Sequence, residues 1–262
     1  MTNINSLENK KIKEIVKLRK AGTRKDKGVF LIDGKREIEL AFKSGVDIQE
    51  IFYCPDFSPE YPSLLKKVPE NKLIIVSKLV FQKISYKESP DGFLAIASYQ
   101  NYCLDDVKLS ANPLIIILES VEKPGNIGAI MRTAYAAGVD AIIINDNQTD
   151  IFNPNIIRAS EGHIFNNQVV VASVSETATW LKKNGIKSLA AATKKSNNYL
   201  EVDLTEPIAL VFGSESDGLS AQWLKSANER ILIPMKDGMD SLNVSVSAAI
   251  IVFEAIRQRN IS

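Results

Sequence analysis

The chain has very little of what most stapled, metal-bound or membrane-embedded proteins depend on. Its 262 residues include two cysteines, Cys54 and Cys103, and a single histidine, His163, all far apart in sequence. Disulfide frameworks and zinc sites need such residues clustered, so neither is expected, and no metal site is assigned. No apolar run approaches the roughly 18 residues of a membrane span. The polar, lysine-rich N-terminus lacks the apolar stretch of a secretory signal. A cytoplasmic protein without a membrane partner is therefore expected. Internal repeats and low-complexity tracts are absent. So is any G-x-G, which weakens the case for a nicotinamide or flavin dinucleotide site.

What is present has an ordinary globular balance, with 45% hydrophobic and 24% charged residues. That suits one large domain or two smaller ones. Net charge is +1, but residues 1–30 hold nine Lys and Arg against three acids, a local excess of six. Such asymmetry suits a phosphate-binding surface. A solubilising helix face would look the same, and charge alone leaves both open.

The two halves differ in rhythm. In the first, residues 5–20 predict an amphipathic helix, KGVFLIDG a short strand, and Lys35 to Lys43 a helix that Gly45 ends. Strands are predicted at Ile48–Tyr53, Leu73–Val76 and Phe93–Tyr99, making a small α/β unit. Between Gln100 and Asn112 the periodicity is lost, as in an interdomain linker. The expected domains are 1–105 and 106–262. The second half alternates helices with apolar runs at 114–120, 141–144, 169–173, 188–193, 208–213 and 230–234. Continuous β-branched runs indicate strands covered on both faces, hence a mainly parallel sheet. A helix from about Asn243 to Gln258 closes the chain.

Three segments of the second half carry candidate chemistry. In PGNIGAIMRTAYAAG (124–138), Ile127, Ile130, Met131 and Ala134 make one apolar helix face. Arg132 falls roughly opposite, about 500° beyond Ile127 at the usual 100° per residue. Gly128 and Ala129 share its side and would leave room for a large partner. An arginine in that setting suits a phosphate or a developing oxyanion, and an ordinary surface arginine fits as well. In LVFGSESDGLS (210–220), a strand ends at Gly213 and a polar loop carries Glu215. Ligands bind at the C-terminal ends of parallel strands, and glycine would let one touch the backbone. A plain βα loop with a helix cap is the alternative. In IPMKDGMDSLNVSV (233–246), a strand ends at Ile233–Pro234 and Ser241-Leu242-Asn243 lead into the last helix. Ser241 and Asn243 are good N-cap residues. That helix is apolar almost all round, so deep burial is expected, and the polar side chains before it need partners, either backbone or ligand.

Together, in this order and spacing, the segments resemble the three motifs of SpoU/TrmH-type methyltransferases of the SPOUT superfamily. Asn126, Gly128 and Arg132 carry the first motif; Gly213, Glu215, Gly218 and Leu219 the second; Pro234, Ser241, Leu242 and Asn243 the third. IIRASEGHIF (156–165) resembles a further stretch of the family through Arg158, Ser160 and Gly162. Residues 9–41 resemble a small α/β RNA-binding domain of ribosomal-protein type, which favours RNA contact for the basic stretch. Two departures stand out: Lys123 where many relatives have an acid, and Ser216 for a common glycine.

The resemblance implies methyl transfer from S-adenosyl-L-methionine to a ribose 2′-hydroxyl, a C-terminal trefoil knot and a homodimer with its active site at the interface. Carried over by position, Thr193, Gly213, Ile233 and Leu242 would hold the cofactor. Arg132 would activate or orient the 2′-oxygen, with Asn126 and Asn243 positioning substrate and Ser241 and Glu215 organising the site. His163 has no role in the family pattern and is expected to pack. The partner implied is RNA rather than DNA, met through the basic N-terminal domain. A separate docking domain suits a folded target, so 23S rRNA is expected ahead of tRNA. A catalytically silent RNA-binding protein of the same fold, and an α/β oxidoreductase, are the other readings.

Overall fold

Short β-branched and aromatic runs build the first of two units. In the computed structural model, which describes residues 2–59, 65–99, 102–146, 150–194 and 196–261, this unit comprises Met1–Gln100 and Asp150–Asn166. Its elements are β1 (Thr2–Ile4), α1 (Lys10–Lys17), α2 (Ala21–Lys27), β2 (Val29–Asp33), α3 (Lys35–Lys43), β3 (Ile48–Tyr53), β4 (Leu73–Val76), α4 (Lys78–Ile84) and β5 (Phe93–Ser98). The strands form one sheet, β1-β4-β3-β5-β2. β1, β4 and β3 run parallel, and β5 is antiparallel to β3 and β2.

The helix anticipated over 5–20 is the shorter α1, Lys10–Lys17, and a second helix, α2, follows beyond that span. Asn9 starts α1, its Oδ1 accepting from the Lys11 amide at 2.9 Å. α2 ends on Gly28 at φ +62°, a left-handed cap that glycine adopts without strain. Between them the chain turns so that Arg24, only 1% exposed, points inward. Its guanidinium donates to the Leu18 and Arg19 carbonyls at 2.8 and 2.9 Å, satisfying groups that the end of α1 leaves open.

Much of the basic stretch is therefore engaged internally. Arg19 donates to the Lys83 and Ser85 carbonyls and lies over the Tyr86 ring. Lys11, Lys13 and Lys27 pair with Glu50, Glu8 and Glu14. Lys10, Lys17, Lys20 and Lys25 are exposed.

The second unit comprises Asn101–Thr149 and Asn167–Ser262. In chain order the elements from residue 102 onward are β6 (Leu114–Glu119), α5 (Pro124–Ala137), β7 (Ala141–Asn145), α6 (Pro154–Ala159), β8 (Val169–Val171), α7 (Val174–Lys183), β9 (Lys187–Ala191), β10 (Asn197–Asn198), β11 (Ile208–Phe212), α8 (Ala221–Ser226), β12 (Glu229–Leu232) and α9 (Val244–Ile261). The strands form a sheet in the order β10-β12-β9-β11-β6-β7-β8, and every ladder is parallel. β6, β7 and β11 are buried at every position, as continuous apolar runs require. All six anticipated strands are present. β10, at two residues, is too short to carry a period.

Two expectations change here. The first two residues of the supposed linker, Gln100 and Asn101, lie outside the described residues. Beyond them the chain is docked: Leu104, Val107 and Leu109 pack on the second unit's core, and the Lys108 amide donates to Gln168 at 2.9 Å. Apolar anchors within a polar stretch tie it down. α9 is likewise not buried all round. Val244, Ala248, Ile251, Val252 and Ala255 face the core, while Val246 and Phe253 are 46% and 48% exposed. One helix face meets the sheet and α5, and among the described residues the other is left open at Val246 and Phe253.

Residues 150–166 are counted with the first unit although β7 and β8 flank them in sequence. Asp150 receives Arg24 through Nε at 2.8 Å and Nη2 at 2.6 Å, and the Tyr99 hydroxyl at 2.8 Å. Burial, then that hydrogen bond, pushes the Tyr99 pKa up. Phe152 stacks on Phe30, ring centroids 4.3 Å apart. Gly162, at φ +82°, lies so close to α3 that a Cβ would sit 3.0 Å from the Glu37 Cα. The IIRASEGHIF stretch thus packs against α3, and half-buried His163 belongs to the turn after α6.

Asp150→Ala would strand the Arg24 guanidinium, whose side chain is 2% exposed. Removing one partner of a buried pair costs about 3–5 kcal/mol. Denaturant unfolding should show a loss in that range, and a loss under about 1 kcal/mol would contradict the assigned role.

Candidate functional site

Because the second sheet is parallel, the loops leaving its strand C-termini all emerge at one edge. β12, β9 and β11 are neighbours there. Residues 192–194 follow β9, 213–220 follow β11 and 233–243 follow β12. The three loops enclose a cavity of ≈ 1080 Å³ lined by Thr193, Gly213, Glu215, Ile233, Ser241, Leu242 and Asn243, among others. Seven of the nine residues singled out from sequence thus share one wall. The other two, Asn126 and Arg132, lie on α5.

The 213–220 loop is held by its own backbone. Ser214 and Gly218 exchange N–H···O bonds of 3.1 Å in both directions. Gly213 lies under this turn: a Cβ there would come within 2.2 Å of the Gly218 carbonyl carbon and oxygen. Glycine is required there by the chain's contact with itself, a reason for this residue that the sequence did not suggest. Beyond the turn, Glu119 at the end of β6 accepts from the Ser220 amide at 2.7 Å. Trp223 of α8 is fully buried and donates to Asn145 at 3.1 Å. Asn145 in turn donates to the Ala172 carbonyl and the Thr177 hydroxyl, both at 2.8 Å. The loop is therefore fastened beyond its C-terminal end by a buried polar network, in which Glu119 Oε1 alone finds no partner among the described residues.

A chain of polar side chains runs along the rim and joins the three sequence segments. Asn126, in the first turn of α5, donates through Nδ2 to Glu215. Its Oδ1 accepts from Asn243 Nδ2 at 3.2 Å. Asn243 also accepts from the Ser245 amide at 2.9 Å, so it caps α9 while it reaches Asn126. The capping and the site-building readings of this residue both hold. Lys123 closes the set, its Nζ 2.7 Å from the second Glu215 oxygen.

Arg132 is exposed on α5, with Ile127, Ile130, Met131 and Ala134 buried opposite. Gly128 is itself buried, so the open niche expected beside Arg132 is absent at that position. Arg132 does not line the cavity of its own chain, and neither does any residue of 156–165.

Sequence reasoning missed other lining residues, including Met235, Met239, Asp217, Asp240 and Lys194. Each follows a strand C-terminus by a few positions, a signal that becomes useful only once the strand ends are known. Lys123 was noted as a departure, not as a member of the site.

A family model for the SpoU rRNA Methylase family matches residues 113–253, more than half of the chain. The chain belongs to the SpoU rRNA methylase family. Membership sets aside the oxidoreductase alternative. Residues 9–95 match an MRM3-like substrate binding domain. The chain is 30% identical to the 23S rRNA (guanosine(2553)-2′-O)-methyltransferase RlmP of Bacillus subtilis strain 168, across 97% of this chain and 98% of that one. A solved RNA 2′-O ribose methyltransferase covers 99% of this chain and 100% of its own, with a TM-score of 0.86 and 35% identity. An AdoMet-bound rRNA methyltransferase from Sinorhizobium meliloti covers 98% and 97%, with a TM-score of 0.89 and 27% identity.

In this family member, Gly213→Ala would drive a Cβ into the backbone of Gly218 and Leu219, which cannot swing aside as a side-chain end could. The 214–218 turn, and Glu215 with it, must then move. The variant should fold but lose the thermal stabilisation that S-adenosylmethionine confers on the parent. Undiminished stabilisation would contradict this account of the loop.

Proposed function

We propose that this chain transfers a methyl group from S-adenosylmethionine to a ribose 2′-hydroxyl of structured RNA, with 23S rRNA as substrate, as a cytoplasmic homodimer. The observation that carries the reading is the rim in which Asn126, Glu215 and Asn243, one from each motif, are hydrogen-bonded beside a single cavity. In this reading residues 106–262 are the catalytic domain, with the family's trefoil knot at the cavity. Residues 1–105 bind substrate, Lys10, Lys13, Lys17, Arg19, Lys20, Lys25 and Lys27 all being exposed cations of their basic stretch.

The cavity suits the cofactor. Its volume of ≈ 1080 Å³ is just above the roughly 300–1,000 Å³ of small-molecule sites, room enough for the cofactor. Backbone at Thr193, Gly213 and Ile233, just past strand ends, and at Leu242, before α9, offers hydrogen-bonding groups. Glu215, Asp217 and Asp240 line the cavity alongside Lys123, Lys194 and Arg230, a mixed lining for a ligand that carries charges of both signs. S-adenosylmethionine supplies an electrophilic methyl group when bound there.

The protein's part is to orient the 2′-hydroxyl and manage its charge. A guanidinium is too weak an acid to be freed for use as a base, so Arg132 is not assigned the hydroxyl proton. It stabilises the forming alkoxide electrostatically, and a phosphate or carboxylate oxygen accepts the proton. Asn126 and Asn243 position the ribose, and Ser241 and Glu215 hold the surrounding loops. Arg132 lies outside the cavity lining of its own chain, and an active site completed by a second copy accounts for that. A stripe of α9, exposed Val246 and Phe253 with half-buried Ile250 between them, repeats at i, i+4 and i+7 and would be the surface such a copy covers.

Incubation with labelled S-adenosylmethionine should place label in 23S rRNA, and absence of label from both ribosomal and transfer RNA would sink the enzyme reading. Arg132→Ala should lower transfer by about 10²-fold or more while leaving cofactor binding intact; full activity would refute its role. Phe253→Glu should sediment as a monomer and lose transfer, whereas an active monomer would remove the shared site.

A further inference from the structure

We infer that Lys123 is a phosphate-contact residue for the RNA substrate, its amine exchanging the Glu215 carboxylate for a backbone phosphate when RNA docks. This rests on the proposed methyl transfer and adds a subsite to it.

Lys123 precedes Pro124 at the start of α5, and its carbonyl accepts from the Asn126 and Ile127 amides at 3.0 and 3.2 Å. The first turn of the helix thus fixes where its side chain begins. That side chain is 71% exposed, lines the cavity, and ends 2.7 Å from Glu215 Oε2. The other Glu215 oxygen accepts from Asn126, so the carboxylate keeps a partner when the amine leaves.

Helix stability does not explain a cation here. The positive end of the helix dipole disfavours it, and the first turn of α5 holds no acidic side chain to offset it. An ion pair so open to water is weakly held and readily exchanged. The phosphodiester is the natural exchanger. It is attached to the ribose whose 2′-hydroxyl is the proposed target, so an RNA that brings that hydroxyl to the rim brings a phosphate as well. Lysine serves phosphates as a compact point charge on a flexible stem, able to follow one that is not rigidly placed.

The test uses the full-length protein, unmodified 23S rRNA and a series of salt concentrations. Each cation–phosphate contact adds about 0.7–0.9 to the slope of log affinity against log salt. Lys123→Ala should shallow the slope by that amount and weaken RNA binding several-fold at low salt. Lys123→Arg, which keeps the charge, should restore the slope. If the slope of Lys123→Ala equals the parent's while cofactor stabilisation or turnover falls, Lys123 only holds Glu215 and the inference is overturned. Because the slope is read from binding, it tests Lys123 independently of turnover. A parent protein that methylates no RNA would overturn the proposed activity instead.

Discussion

The parallel alignment of β12, β9, β11 and β6 is the constraint from which the site follows. In register, Leu210 of β11 lies between Leu189 of β9 and Ile116 of β6, and Arg230 of β12 opposes Ala190 of β9. Strands that all point one way must turn at the same edge. Segments 20 to 40 residues apart in sequence are thereby delivered to a single wall. Burial on both faces keeps the register, since a slip would move apolar side chains out of layers filled by α5, α9 and α7.

Within that frame, polar groups divide by burial. Glu119, Asn145 and Trp223 are committed to holding the 213–220 loop and have no access to a ligand. Lys123, Asn126, Glu215 and Asn243 bond to one another at the rim, in contacts open enough to exchange. The same division applies to the basic N-terminal stretch. Arg24 carries a full charge in the composition but spends it on Asp150 and on helix-end carbonyls. Lys10, Lys17, Lys20 and Lys25 keep theirs at the surface. A formal charge count cannot make this distinction, because it depends on which way a side chain turns.

The segment 150–166 illustrates a second limit of local reading. Its arginine, serine and glycine resemble a family pattern that says nothing of where the stretch packs; in the structure Gly162 meets α3 and Asp150 meets Arg24. Here glycine is demanded by close packing and a positive φ, and the pattern records a contact between distant parts of the chain.

Periodicity by itself determined the second-half strands, their parallel arrangement and the buried face of α5, because continuous β-branched runs and a 3.6-residue repeat are local consequences of burial. The resemblance of three segments to a family's motifs grouped Asn126, Glu215 and Asn243 as a set. Only the tertiary structure decided that these three touch, that Lys123 joins them, that Gly213 serves the loop's own backbone, and that α9 keeps an uncovered apolar face. Each of those depends on distances between residues far apart in the chain, which the parallel sheet sets and no local pattern encodes.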